Sequence, residues 1–175
     1  KQKISDAQLV CRVRLKRPAR APEYKYDRRE YTMFGNSNRP DKRISILLDE
    51  LSIDYDIDEN GDFIASFMVG KRRSQRVFIN SDTRSIGDLE IRKIHSIAYR
   101  SDAPLSRKVA NLLLEINHRS MLGAWQLMVT EDGFDAAYNA QIAADTDAMT
   151  LLTAIKAVVE SADSIENYLT GEDVF

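Results

Sequence analysis

Two alternating runs face each other across a glycine turn between Ile53 and Val69, and a β-hairpin is the one local structure that satisfies both. Ile53, Tyr55 and Ile57 alternate with Asp54 and Asp56; beyond the turn, Phe63, Ala65, Phe67 and Val69 keep the same spacing. Successive strand side chains point to opposite faces, so a period of two marks strands with one buried side. Between the runs, "DENGD" supplies the Asn-Gly pair that tight hairpins favour, because both residues tolerate positive φ.

The same turn carries a competing pattern. Asp56, Asp58, Asn60 and Gly61 match the first half of a calcium-binding EF-hand loop. That loop needs a bidentate glutamate at position twelve and a helix on either side. Counted from Asp56, position twelve is Phe67, and the flanks alternate as strands do. The expectation is a hairpin whose aspartates keep its tip wet, with no metal and no cofactor.

The rest of the body alternates between the two periods. Ile44, Leu47, Leu48 and Leu51 form one helical stripe, with Asn38 or Asp41 as cap. "GKRRSQ" reads as a polar loop and "RVFIN" as a third strand. "DLEIRKIHSIAYR" reads as a bulged strand, because Arg92 and Lys93 break the phase between Ile91 and Ile94, with helix as the alternative. Leu105, Val109, Leu112, Leu113 and Ile116 restore helical spacing, with Asp102 and Pro104 as start signals. "AWQLMVT" and "FDAAYNAQI" are strands joined by "EDG". A last helix begins near Asp145 or Thr146; Met149, Leu152, Ile155, Val159, Ala162, Ile165 and Leu169 form its stripe, while Lys156, Glu160, Asp163 and Asn167 face water. The order α-β-β-β-β-α-β-β-α predicts an α+β domain, an antiparallel sheet with helices packed on one side.

Charge divides the 175 residues unevenly. Residues 1–43 hold 13 Lys and Arg against 5 Asp and Glu, whereas residues 44–175 hold 12 against 22. Residues 1–39 read as a basic, proline-containing arm with at most one short strand over "LVCRVRL", otherwise loose or ordered by a partner; residues 40–175 read as the domain. Arg12, Arg14, Lys16, Arg17 and Arg20, followed by Tyr24, Tyr26 and Tyr31, combine phosphate-seeking charge with stacking surfaces. Lys71, Arg72 and Arg73 would extend such a patch. These eight cations are the candidate contacts for a partner or a nucleic acid. Glu23, Asp27 and Glu30 interrupt the run, so the arm equally suits an acidic protein surface, its own body included.

Other classes find no support in the residues. Neither a membrane-length apolar run nor a signal-peptide pattern is present, and Cys11 is the only cysteine, so the expected compartment is the cytoplasm. His118 falls in the last turn of the second helix, where an imidazolium gains from the helix dipole, and His95 falls in a strand near Arg92 and Lys93. No Ser, Cys or paired carboxylate forms a nucleophile-and-base set with either, and no phosphate-loop or nucleophile-elbow motif occurs. The residues point away from an enzyme.

The element order, with "ISILLDELSIDYDIDENGDFIASFMV" and "LLLEINHRSMLGAWQLMVTEDGFDAAYNAQI", resembles the YbjN family of bacterial proteins, itself similar in fold to type III secretion chaperones. The resemblance spans roughly residues 40–170. It rests on a helix ending in "L.I.Y", a strand pair, a Leu-rich helix ending in Asn, then "W.L.V.EDG" and a closing helix. It implies a non-enzymatic, chaperone-like or regulatory module that binds a protein partner or client segment, or pairs as a homodimer, without a catalytic residue. Nucleic-acid binding through the arm is the alternative. The arm and the segment Asp88–Arg100 depart from the family pattern.

Overall fold

A computed structural model describes residues 39–70 and 73–169. What is expected of the arm up to residue 38, including Arg12, Arg14, Lys16, Arg17 and Arg20, falls outside these residues, as do Lys71 and Arg72.

The described chain runs α1 (Lys42–Glu50), β1 (Asp56–Ile57), β2 (Phe63–Val69), β3 (Arg73–Ile86), β4 (Leu89–Ser101), α2 (Arg107–Asn117), β5 (Ala124–Thr130), β6 (Gly133–Ala143) and α3 (Ala148–Leu169). The six strands form one antiparallel sheet in the order β1-β2-β3-β4-β6-β5. The fold is therefore α+β, with the predicted order of elements. Hairpins join β1 through β4; α2 then carries the chain past the site of β6, so that β5 becomes an edge and β6 returns between β5 and β4.

One side of the sheet makes the core. Phe63, Val77, Ile79, Ile94, Ala140, Tyr138 and Trp125 point to that side and pack with Ile44 and Leu48 of α1, Leu113 of α2, and Leu151, Ile155, Val158 and Ala162 of α3. All three helices lie there, and no described element packs on the opposite face.

A polar clasp ties the first helix to the sheet. The β3–β4 register shifts between Ile79 and Thr83, which leaves backbone groups of the bulge without ladder partners. The fully buried Arg92 donates to the carbonyls of Asn80 and Ser81 and to Asp41, the N-cap of α1. Asp62 accepts from the Ser81 N–H at 2.7 Å and from Asn80, and Ser81 Oγ donates to the Gly61 carbonyl. Asp58 accepts from the N–H groups of Asn60 and Asp62 at 2.9 Å each. The carboxylates of Asp58 and Asp62 are thus taken up by their own loop and the neighbouring bulge. Gly61 alone in that loop takes positive φ, +82°, so the turn is a five-residue connection and not a tight Asn-Gly turn.

Several expectations change. Arg73 and the segment behind it belong to β3, which is much longer than "RVFIN"; β1 shrinks to two residues, leaving Ile53 and Tyr55 to pack on the core ahead of it. The bulged-strand reading of Asp88–Arg100 holds from Leu89 onward, with a second register shift between Ile97 and Tyr99. The stripe of α3 rotates: Met149 is exposed, while Asp163 and Glu166 are buried. The cause is on the strands. Arg73 forks onto Asp163 at 2.7 and 2.8 Å, and Gln75 donates to Glu166 while accepting from Ser96 Oγ, which draws two acids inward.

Candidate functional site

Helix α2 is held more lightly than its neighbours. Ser106 caps it by accepting from the Val109 N–H, and of its residues only Leu113 is buried. Leu114 is 65% exposed and Met121, just beyond the helix, is fully exposed. Grooves flank the helix on both sides. One, of about 310 Å³, runs between α2 and β5 and is lined by Leu105, Leu113, Leu114, Trp125 and Leu127 among others. The other, of about 540 Å³, runs between α2 and the end of α3 and reaches Lys108, Glu115 and Tyr168. Apolar surface of this kind, rimmed by charges, is where soluble domains meet partners.

The β5 edge adjoins the first groove. Asn117, the last residue of α2, bonds both backbone groups of Trp125: its Oδ1 accepts from the N–H at 2.6 Å and its Nδ2 donates to the carbonyl at 3.2 Å. Backbone groups of a strand alternate between its two sides, so those of Leu127 and Val129 point outward with those of Trp125. Among the described residues no backbone hydrogen bond reaches them from that side. Asn117 therefore closes one end of the edge and leaves two residues open. The opposite edge is blunted, since β1 is two residues long and carries Asp56. Pairing at an open edge gives main-chain affinity with specificity from alternate side chains.

The helix-free face has a different character. Phe78 stacks on His95, ring centroids 5.1 Å apart and 19° from parallel. Asn139, the cross-strand neighbour of His95, donates to Gln126 at 2.8 Å. Arg100 forks onto Asp135 at 2.7 and 2.8 Å. His95 Nδ1 and Asn139 Oδ1 are buried without a hydrogen-bond partner. Burial, reinforced by the charge of Lys93, holds the His95 imidazole neutral down to about 3.

That depression sets a pH dependence. The unfolded chain takes up a proton near pH 6.5 and the folded His95 does not, so its stabilisation is complete above that pH and declines as the pH falls toward 3. Asp41 and Glu90 act lower. Burial would raise the Asp41 carboxyl, but hydrogen bonds from Arg43 and Arg92 outweigh it; Arg43 and Thr83 hold Glu90 down, and both acids reach about 2. Denaturant melts should thus lose stability between pH 6.5 and 5 in the natural chain and stay level over that interval in His95→Phe. An equal decline in both would show that another group is responsible.

Of the eight cations singled out from the sequence, the structure describes Arg73, and it serves α3 through Asp163 and Asn167. His118 caps the end of α2. Among the described residues no group of three or more His, Cys, Asp or Glu is placed to hold a metal, and no helix is long and apolar enough to cross a membrane. Asn117 and the β5 edge were not anticipated; the Asn that ends the Leu-rich helix was the one trace of them. No family model matches the chain, and no curated protein matches it.

Proposed function

We propose that the chain is a non-enzymatic protein-binding module, chaperone-like or regulatory, that works in the cytoplasm and receives an extended partner segment, or a second copy of itself, along α2 and β5. One observation carries this reading: Leu127 and Val129 present backbone donors and acceptors that no described residue pairs, beside an apolar groove, with Asn117 as a fixed end stop. The exposed Leu114 and the lightly packed α2 widen that surface, and the YbjN-like element order agrees with it.

Proline at 129 removes an outward N–H and leaves the bonds of β5 to β6 in place. The natural chain and Val129→Pro are compared for what each retains from nuclease-treated native lysate, by quantitative mass spectrometry. The expected result is a partner in near-equal amount on the natural chain, reduced about tenfold or more on the variant at unchanged melting temperature. Identical retention by both would contradict the β5 edge as the binding element.

A further inference from the structure

The open stretch of β5 is symmetric about Met128. Trp125, three positions before it, has both outward backbone groups taken by Asn117. Glu131, three positions after it, begins the turn into β6, so the strand stops there. Between these ends Gln126, Met128 and Thr130 turn their backbone groups toward Ala137, Asp135 and Gly133 of β6, and Leu127 and Val129 turn theirs outward.

An edge of this form fits a second copy of itself. About a two-fold axis through Met128, antiparallel pairing sets Leu127 and the partner's Val129 opposite each other as a bonded pair, and Val129 and the partner's Leu127 likewise. Met128 then faces the partner's Met128 without a bond between them. The partner's Thr130 lies opposite Gln126, and its chain turns away at Glu131, level with the place where Asn117 fills the space beside Trp125. Other centres match less well. Pairing about Leu127 runs into Asn117 at Trp125, and pairing about Val129 leaves Leu127 facing a turn.

The side chains agree with that register. Leu127 and Val129 lie on the side of Trp125, beside the groove that Leu105 and Leu114 line, so the cross-strand pairs cover its apolar wall. Glu131 of each copy comes to the end of the partner's α2, where His118 and Arg119 follow Glu115; Asp132 lies in the field of Arg100 of its own chain. Resting on the reading of β5 as the binding element, we infer that its occupant is a second copy of this chain, two β5 strands joining antiparallel about Met128 so that two sheets become one. So small a contact is weak: the dimer dissociates at about 10 µM, and at about 1 µM the edge is open.

Sedimentation equilibrium from about 1 to 200 µM should show a monomer passing into a dimer, and Val129→Pro should stay monomeric throughout. Cysteine substitution reads the register and serves if Val129→Pro unfolds. With the single native cysteine removed as Cys11→Ser, Met128→Cys should link two copies under oxidised glutathione, because opposed non-bonded residues hold their Cα atoms about 4.5 Å apart, within disulfide reach. Thr130→Cys in the same background, on the same face but roughly 14 Å from its mate, should link at least tenfold more slowly. A monomer at every concentration overturns the inference and leaves the edge to a segment of another protein, which the lysate comparison reads separately. A dimer that survives Val129→Pro, or that links equally fast from position 130, also overturns it.

Discussion

Asp41→Ala unfolds at markedly lower denaturant than the natural chain, with a loss of about 3 kcal/mol or more. Asp41 caps α1 and, among the described residues, is the only carboxylate bonded to Arg92, whose side chain is fully buried. Removing one member of a buried ion pair leaves the other charge uncompensated, which costs far more than the net worth of the intact pair. The lost helix cap adds roughly 1 kcal/mol. Arg43 gives the internal comparison: it touches the same Asp41 and also Glu90, but from a half-exposed position, so Arg43→Ala should cost about 1 kcal/mol or less. Urea melts of the three proteins at pH 7 separate the cases, and equal losses would show that Arg92 finds another counter-charge. Below about pH 4 the difference between Asp41→Ala and the natural chain should narrow, because the natural Asp41 carboxyl is itself protonated as the pH approaches about 2.

Gly123→Ala is expected to be nearly as damaging, at about 3 kcal/mol. The residue links α2 to β5 with φ at +88°, where a side chain strains the backbone. A Cβ there would also lie 2.6 Å from the Asn139 carbonyl oxygen and 2.8 Å from the Tyr138 ring, neither of which moves without distorting β6. Gly87 has positive φ too, +61°, but open space around it, so Gly87→Ala isolates the conformational part at about 1 kcal/mol. A smaller loss at 123 than at 87 would mean that the α2–β5 connection yields easily, and that the edge beside it is less rigid than its geometry suggests.

Features that depend on near neighbours were legible in the sequence. The alternation of Phe63 and Ala65 after Gly61, the "EDG" turn before Phe134 and the stripe of Ile44 and Leu48 are set within a few residues, and each appears where its period places it, whereas the run before Gly61 forms a strand only at Asp56–Ile57. Long-range pairings were hidden. Arg92 broke the phase of its strand and so hinted at a bulged strand; that it fills a bulge in β3 depends on Asn80, Ser81 and Asp41, 11 to 51 positions away. Asp163 and Glu166 carry ordinary surface side chains, and only their partners Arg73 and Gln75, some 90 positions earlier, turn that side of α3 inward. The candidate surface follows the same division. Alternation predicts β5, but its position at the edge follows from β6 entering between it and β4, and Asn117 acquires a role only once α2 delivers it to Trp125.

Amide hydrogen exchange along β5, in the isolated chain and again with the captured partner, tests the protein-binding account most directly. In the isolated chain Trp125, Gln126 and Met128 should exchange slowly, held by Asn117 or β6, while Leu127 and Val129 exchange fast. On the partner, Leu127 and Val129 should slow into line with their neighbours. If they remain fast in the complex, the β5 edge is not where the partner pairs, and the proposed mode of binding fails.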